Sequence, residues 1–252
     1  MAAQVTDEKS ELHVETHGQG SPILLTHGFG ATSRMWDEQV EEFTDRRRLI
    51  LWDLPGHGES PPPAAAASHA TLIQDMAAIL DRNNAPRAVL GGLGVGGLLS
   101  LRFWRAFPHR VRGLILIGTL PGLRGAATRE FVNAQVEAQA VALETLGGDA
   151  LDGGIEADPR MHRDAHALAA AARVLARQSD MGALPFLAEI DVPVLIIAGG
   201  DDTPTLSAAR FMGRAIPNAT VVVVPRANHA ANMHKPDAVN TAISEFLPRL
   251  PD

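Results

Sequence analysis

Apolar residues recur along the chain in two rhythms. Short continuous runs, at 22–25, 48–53, 87–92, 111–118, 192–198 and 219–224, read as strands. They do not alternate with polar residues, as expected of parallel strands buried on both faces. A polar–apolar alternation over 11–16 predicts an edge strand instead. Between these runs the apolar positions recur at helical spacing, predicting helices over 36–43, 71–81, 95–107, 207–215 and 236–247. In the second of these, Leu72, Ile73, Met76, Ile79 and Leu80 form one stripe. Strand and helix alternate, which predicts an α/β fold: an open, mostly parallel sheet flanked by helices on both faces. Ligands in such folds sit at the carboxyl ends of the strands. The texture changes over 123–187, which is Ala-rich and helical, broken at Gly147-Gly148 and Gly153-Gly154, with no buried-strand run. We read this stretch as a helical insert. One core is then made of 11–122 and 188–252, and 1–10 is a loose, polar N-terminus.

The 252 residues suffice for one such core with an insert, and a hydrophobic fraction of 46% suits a globular chain. A net charge of −7 argues against nucleic acid or an anionic membrane as the main partner. No cysteine is present, so there are no disulfides and no thiol chemistry. The first residues lack the basic-then-apolar pattern of a signal peptide. No apolar run approaches the ~20 residues of a membrane span. A cytoplasmic location is the expectation, with a small molecule as partner; the sequence leaves the oligomeric state open.

Candidate chemistry gathers at three predicted strand ends. Val89-Leu90 runs into glycines at 91, 92, 94, 96 and 97, and a helix follows, so the chain makes a strand, a tight turn and a helix. After 192–198 comes Gly199-Gly200-Asp201-Asp202-Thr203-Pro204, and after 219–224 comes Pro225-Arg226-Ala227-Asn228-His229. Two further loops carry His-Gly-Phe-Gly at 27–30 and Asp-Leu-Pro-Gly-His-Gly-Glu-Ser at 53–60. In this order, these residues resemble the α/β-hydrolase superfamily, in its branch of small bacterial esterases, enol-lactonases and C–C bond hydrolases. The resemblance covers nearly all of 11–248. It implies an α/β-hydrolase fold with a helical cap formed by the insert, and a nucleophile–acid–histidine triad.

The resemblance assigns the acid to Asp202, with Asp201 as the adjacent alternative, and the general base to His229. Asn228 stands where a glycine usually precedes that histidine, and it tolerates positive φ. The oxyanion hole falls to the backbone N–H groups of Phe29 and Val95. His27 and His57 fall to structural support of the loops. The elbow Gly-x-Ser-x-Gly is filled by Gly92, Leu93, Gly94, Val95 and Gly96. Its nucleophile position is therefore Gly94, which carries no side chain. Ser33, Ser60, Ser100 and Thr119 lie elsewhere and none occupies the elbow.

Trp36, Phe131 and Leu206 are candidate substrate contacts. His162 and His166, four apart on a presumed helix, suggest a metal clamp, but no third ligand is evident and a solvated face is the plainer reading. A dinucleotide loop, Gly92-x-Gly94-x-x-Gly97, competes for the elbow residues, but the next strand ends Ile117-Gly118-Thr119 without the acid that reading needs. No cofactor or metal is expected. The leading expectation is a hydrolase of a small ester, lactone or C–C bond with non-standard catalysis. The alternatives are a cofactor-free lyase or isomerase with His229 as base, and a catalytically silent binding protein.

Overall fold

The apolar runs form a seven-stranded sheet: β1 (Val14–Gly18), β2 (Ser21–Thr26), β3 (Arg47–Trp52), β4 (Ala88–Leu93), β5 (Val111–Ile117), β6 (Val194–Gly199) and β7 (Ala219–Val224), in the order β1-β3-β2-β4-β5-β6-β7. The computed structural model describes residues 12–151 and 155–250. The stretch 1–10 and the pair Gly153-Gly154 lie outside them. β1 runs antiparallel to β3 at the sheet edge, and every other pairing is parallel. β4 and β6 are buried along their whole length, as their continuous apolar sequences require. β6 starts at Val194 rather than at 192, because Pro193 has no N–H for the ladder and serves only through its C=O, which accepts from Leu114 N at 3.0 Å.

Helices cover both faces. They are α1 (Asp37–Phe43), α2 (His69–Arg82), α3 (Val95–Ala106), α4 (Ala126–Leu146), α5 (Ala165–Leu175), α6 (Thr203–Ala215), α7 (Ala231–His234) and α8 (Pro236–Phe246). α2, α3 and α6 bury Leu80, Phe103 and Met212 on one face of the sheet, with Leu24, Leu90 and Ile196. α1, α7 and α8 bury Phe43, Ala231 and Ile243 on the other, with Leu25, Leu51 and Ile197. α2 begins ahead of its apolar stripe because Ser68 caps it. The Ser68 side chain accepts from Thr71 N and the Thr71 hydroxyl pairs back with Ser68.

Between β5 and β6 the chain makes a helical excursion. α4 and α5 close their own small core with Ala140, Leu143, Leu168 and Ala172. Arg173 reaches from α5 to Glu137 and Glu144 on α4. The excursion leaves and returns at one point. Pro121 O accepts from Ala183 N at 2.6 Å. A Cβ on Gly122 would lie 2.2 Å from Met181 O, and one on Gly182 would lie 2.3 Å from Pro121 O.

The turn from β4 into α3 is equally tight. A Cβ on Gly96 would lie 2.2 Å from Thr26 O and 2.7 Å from His27 O, both backbone atoms of the neighbouring strand end. Gly96→Ala therefore forces α3 away from β2, and overpacking against backbone has no flexible neighbour to absorb it. The expected result is a loss of about 4 kcal/mol or more, read as a fall in the urea midpoint at unchanged slope. An unchanged midpoint would mean that the helix is not seated as closely as described.

Candidate active site

The loops that leave β2, β4, β6 and β7 converge at the carboxyl edge of the sheet. Gly94 ends β4 and caps α3 with φ +55 and ψ −113. Its N–H donates to Ile117 O at 2.9 Å and its C=O accepts from Leu98 N at 3.2 Å. A side chain there would be strained by the backbone, and glycine avoids that strain. A Cβ built on Gly94 would meet His229 Nε2 at 3.1 Å and His229 Cε1 at 3.6 Å, and, chain neighbours apart, no other atom of the described residues within 4 Å. The space above Gly94 therefore opens directly onto the His229 ring.

His229 is held from its other side. Its Nδ1 lies 3.0 Å from Asp202 Oδ2. The Asp202 side chain is 13% exposed and that of His229 is 40% exposed, so the acid is shielded and the ring is reachable. Thr205 donates its hydroxyl to the same Asp202 oxygen. Asp202 occupies the N-cap position of α6 but makes no side-chain capping bond, since its carboxylate is turned to His229 and Thr205. Asp201 is exposed, and its N–H donates to Ala227 O at 3.0 Å. The structure thus brings Asp202, not Asp201, to His229, and neither side chain caps the helix. The proton between the pair belongs on Nδ1, which leaves the Nε2 lone pair facing the space at Gly94.

His229 also sits against the end of β5. A Cβ on Gly118 (φ +52) would lie 2.9 Å from His229 O. The tolerance of positive φ at Asn228 is not used, and in this loop the positive φ lies at Arg226, with φ 56. Asn228 N donates to His234 Nδ1 at 3.2 Å.

Phe29 and Val95 flank the elbow. Val95 opens α3, and neither its N–H nor that of Phe29 donates to a backbone or side-chain acceptor among the described residues. The hydroxyls of Ser100, Ser60 and Thr119 are committed. Ser100 is fully buried and donates to Gly96 O at 3.0 Å. Ser60 donates to Asp53 O at 2.6 Å, and Thr119 to Ile117 O at 3.1 Å. Ser33 is buried beside Asp53, its N–H bonded to Asp53 Oδ1 at 2.7 Å.

The other sequence candidates are scattered. Trp36 is fully buried among the α1 and α8 side chains and presents no surface to a ligand in this conformation. Phe131 is 65% exposed on α4. Leu206 is half-buried in the first turn of α6, its N–H on Asp202 O at 2.9 Å. A cavity of about 260 Å³ lies where the chain leaves β5, between Leu123, Leu184 and Phe211, and neither Gly94 nor His229 lines it.

The expected pairing of His162 with His166 on one helix face is not formed. Asp164 caps α5 through His166 N, so His162 lies outside the helix. Its ring turns inward, with Nε2 2.8 Å from Gly30 O and Nδ1 3.1 Å from Gly58 N. His27 and His57 lie beside it, with ring centroids 5.0 Å apart between the first two and 5.6 Å between His57 and His162. Burial pushes His27 down to about 4, against a weaker upward pull from Asp53. Burial, then the neighbouring His27 and His162, pushes His57 well below an ordinary histidine. His162 is lowered by burial too. Sequence reasoning missed His162 and Thr205. The signal for the first was Asp164, a helix-capping residue just ahead of an alanine run. Among the described residues no group of side chains is arranged to hold a metal ion, and no helix is long and apolar enough to cross a membrane.

Comparison with known proteins places this geometry. The chain is 27% identical over 270 residues to 3-oxoadipate enol-lactonase 2 of Acinetobacter baylyi, covering 97% of this chain and 96% of that one. A solved structure of a thermophilic esterase from Thermogutta terrifontis superposes with a TM-score of 0.82 at 29% identity, covering 94% of this chain and 93% of that one. The structure of MenH from S. aureus superposes with a TM-score of 0.83 at 26% identity, covering 94% and 98%. The model of the Alpha/beta hydrolase family matches residues 23–242. The sheet order, the elbow and that match agree: the chain belongs to the α/β-hydrolase family.

Proposed function

We propose that this chain hydrolyses a small ester, lactone or C–C bond using water in place of a protein nucleophile. One observation carries the reading: His229 Nε2 faces the open space at Gly94 while its Nδ1 is held by Asp202. The missing hydroxymethyl group leaves space for about one water molecule beside the base. His229 takes the proton of that water as its oxygen attacks the substrate carbonyl carbon. The carbonyl electrons move onto oxygen, which the N–H groups of Phe29 and Val95 stabilise. The tetrahedral intermediate then collapses and His229 returns the proton to the leaving group. Preorganised donors of this kind contribute about 10²–10³ each, and a positioned base about 10²–10⁴. Those effects need no acyl-enzyme. The lactonase and esterase named above support the substrate class, and the 123–187 insert serves as the cap.

A panel of activated esters and lactones tests this. The unaltered protein turns over at least one of them, and His229→Ala lowers that rate about 10²-fold or more. An unchanged rate in His229→Ala overturns the mechanism. The same geometry favours a second reading, in which His229 removes a carbon-bound proton from the substrate as a lyase or isomerase would. Incorporation of solvent deuterium into a carbon acid, without hydrolysis of any panel member, would select it.

A further inference from the structure

We propose that His162 is a positioning residue for the oxyanion loop: carried by the insert, it completes a stack of histidines that fixes successive peptides from Gly28 to Ala31. The inference rests on the reading of Phe29 N–H as an oxyanion donor. Each ring holds a different peptide. The Gly28–Phe29 peptide is held through Gly28 O, 2.7 Å from His27 Nδ1. The Phe29–Gly30 peptide is held through Gly30 N, which donates to His57 Nε2 at 3.1 Å. The Gly30–Ala31 peptide is held through Gly30 O, 2.8 Å from His162 Nε2.

The tautomers are forced by backbone donors. Leu54 N–H occupies His27 Nε2 at 2.8 Å, so Nδ1 carries the proton toward Gly28 O. Gly30 N–H occupies His57 Nε2, so its Nδ1–H points to Pro55 O at 3.2 Å. Gly58 N–H occupies His162 Nδ1, so its Nε2–H points to Gly30 O. A trans peptide points its N–H opposite its C=O. Holding Gly28 O therefore aims Phe29 N–H the other way, and holding Gly30 at both its N–H and its C=O stops the next two peptides from rotating.

Gly30 itself is a permissive hinge, with φ +78. Around it, among the described residues, the insert's nearest side chains other than His162 are apolar. A Cβ on Gly30 would lie 3.4 Å from Ala157 Cβ and 3.5 Å from Leu151 Cδ2. His162 is thus the polar link from the insert to this loop. Without it Gly30 O loses its partner, and the Gly30–Ala31 peptide is held only by the longer bond from Ala31 N to Gly28 O at 3.2 Å.

Two substitutions separate positioning from docking of the insert. His162→Gln keeps an N–H where Nε2 stood and can still donate to Gly30 O. His162→Asn keeps an acceptor where Nδ1 stood and serves only Gly58 N. In the full-length Gly94→Ser chain with p-nitrophenyl acetate, His162→Ala and His162→Asn are expected to lower kcat about 10-fold with little change in KM, and His162→Gln to recover most of it. Equal losses in the Gln and Asn variants, or a loss confined to KM, overturn the proposal. If the Gly94→Ser chain itself does not hydrolyse the ester, backbone hydrogen exchange decides this proposal, and the ester and lactone panel on the unaltered chain decides the functional reading separately. In the otherwise unaltered chain, the Gly30 and Ala31 amides should exchange about 10-fold faster in the Ala and Asn variants, with protection restored in Gln. Unchanged protection overturns it.

Discussion

Gly94→Ser is expected to raise hydrolysis of an activated ester by about 10³-fold or more, with an upper limit near 10⁶ set by what removal of such a serine costs in a complete triad. The backbone at Gly94 already holds the elbow conformation, with φ +55 and ψ −113. Chain neighbours apart, the atoms of the described residues that a Cβ would meet within 4 Å belong to the His229 ring, at 3.1 and 3.6 Å. That ring is the tip of a flexible side chain, so a shift of a few tenths of an ångström seats the serine. Its hydroxyl then lies beside the Nε2 lone pair, and Asp202 is already in place. The strain of a side chain in this backbone region opposes the gain with a stability loss of about 1–3 kcal/mol.

Gly94→Ala is the control. It carries the same strain and fills the same space without a hydroxyl, so it should lose stability equally and fall below the unaltered protein in turnover. A burst of product in Gly94→Ser, with a covalent acyl adduct by mass, completes the expected result. A stable, folded serine variant with no burst would mean that His229 and Asp202 are not aligned for catalysis.

Acid should unfold this protein in a window set by its buried histidines. A histidine in the unfolded chain binds its proton near 6.5, whereas His27 does so only near 4 in the folded state. Between those values the unfolded chain binds more protons, and stability falls as pH falls. The contribution is intact above pH 6.5 and spent below about 4. His27 alone accounts for a loss on the order of 3 kcal/mol across the window. His57 and His162 add to it in the same direction, because each uses one ring nitrogen to accept from a backbone N–H and a second proton evicts that donor. Asp53 opposes the loss at His27 and His162, and Asp158 at His162, without outweighing burial. The His27 share alone is a sizeable part of the about 5–15 kcal/mol stability of an ordinary domain. Urea midpoints measured from pH 7 to pH 4 should fall steeply. A flat profile would mean that these rings are already protonated or are not buried when folded.

Much of this was legible in the sequence where it depends on neighbours along the chain. Continuous apolar runs gave six of the strands because parallel strands need no alternation. The elbow, Asp202 and His229 stood at run ends, where a turn must follow. What failed was longer in range or finer in grain. His162 bonds to Gly30 and Gly58, 132 and 104 positions away, and no local pattern encodes that. Its spacing from His166 suggested a shared helix face only while the Asp164 cap went unread. The left-handed backbone at Arg226 had no signal either, because arginine is not a residue type that favours it. Trp36 follows the oxyanion loop in sequence yet points into the core, because a loop position says nothing about which face its side chain takes.

The crossing of Pro121-Gly122 with Met181-Gly182 has a consequence for how such a protein can diversify. Both ends of the excursion are pinned together before either reaches β5 or β6. Sheet pairing is therefore indifferent to what is strung between them, and closing a longer loop costs only slowly more entropy. The excursion is open to lengthening or shortening beyond the surface where α5 packs Ala171 and Leu175 into the main core, while the elbow and the Asp202–His229 pair stay as they are. Two conditions travel with it: any replacement must bring its own hydrogen-bond donor to Gly30 and cover the core surface that Ala171 and Leu175 now bury.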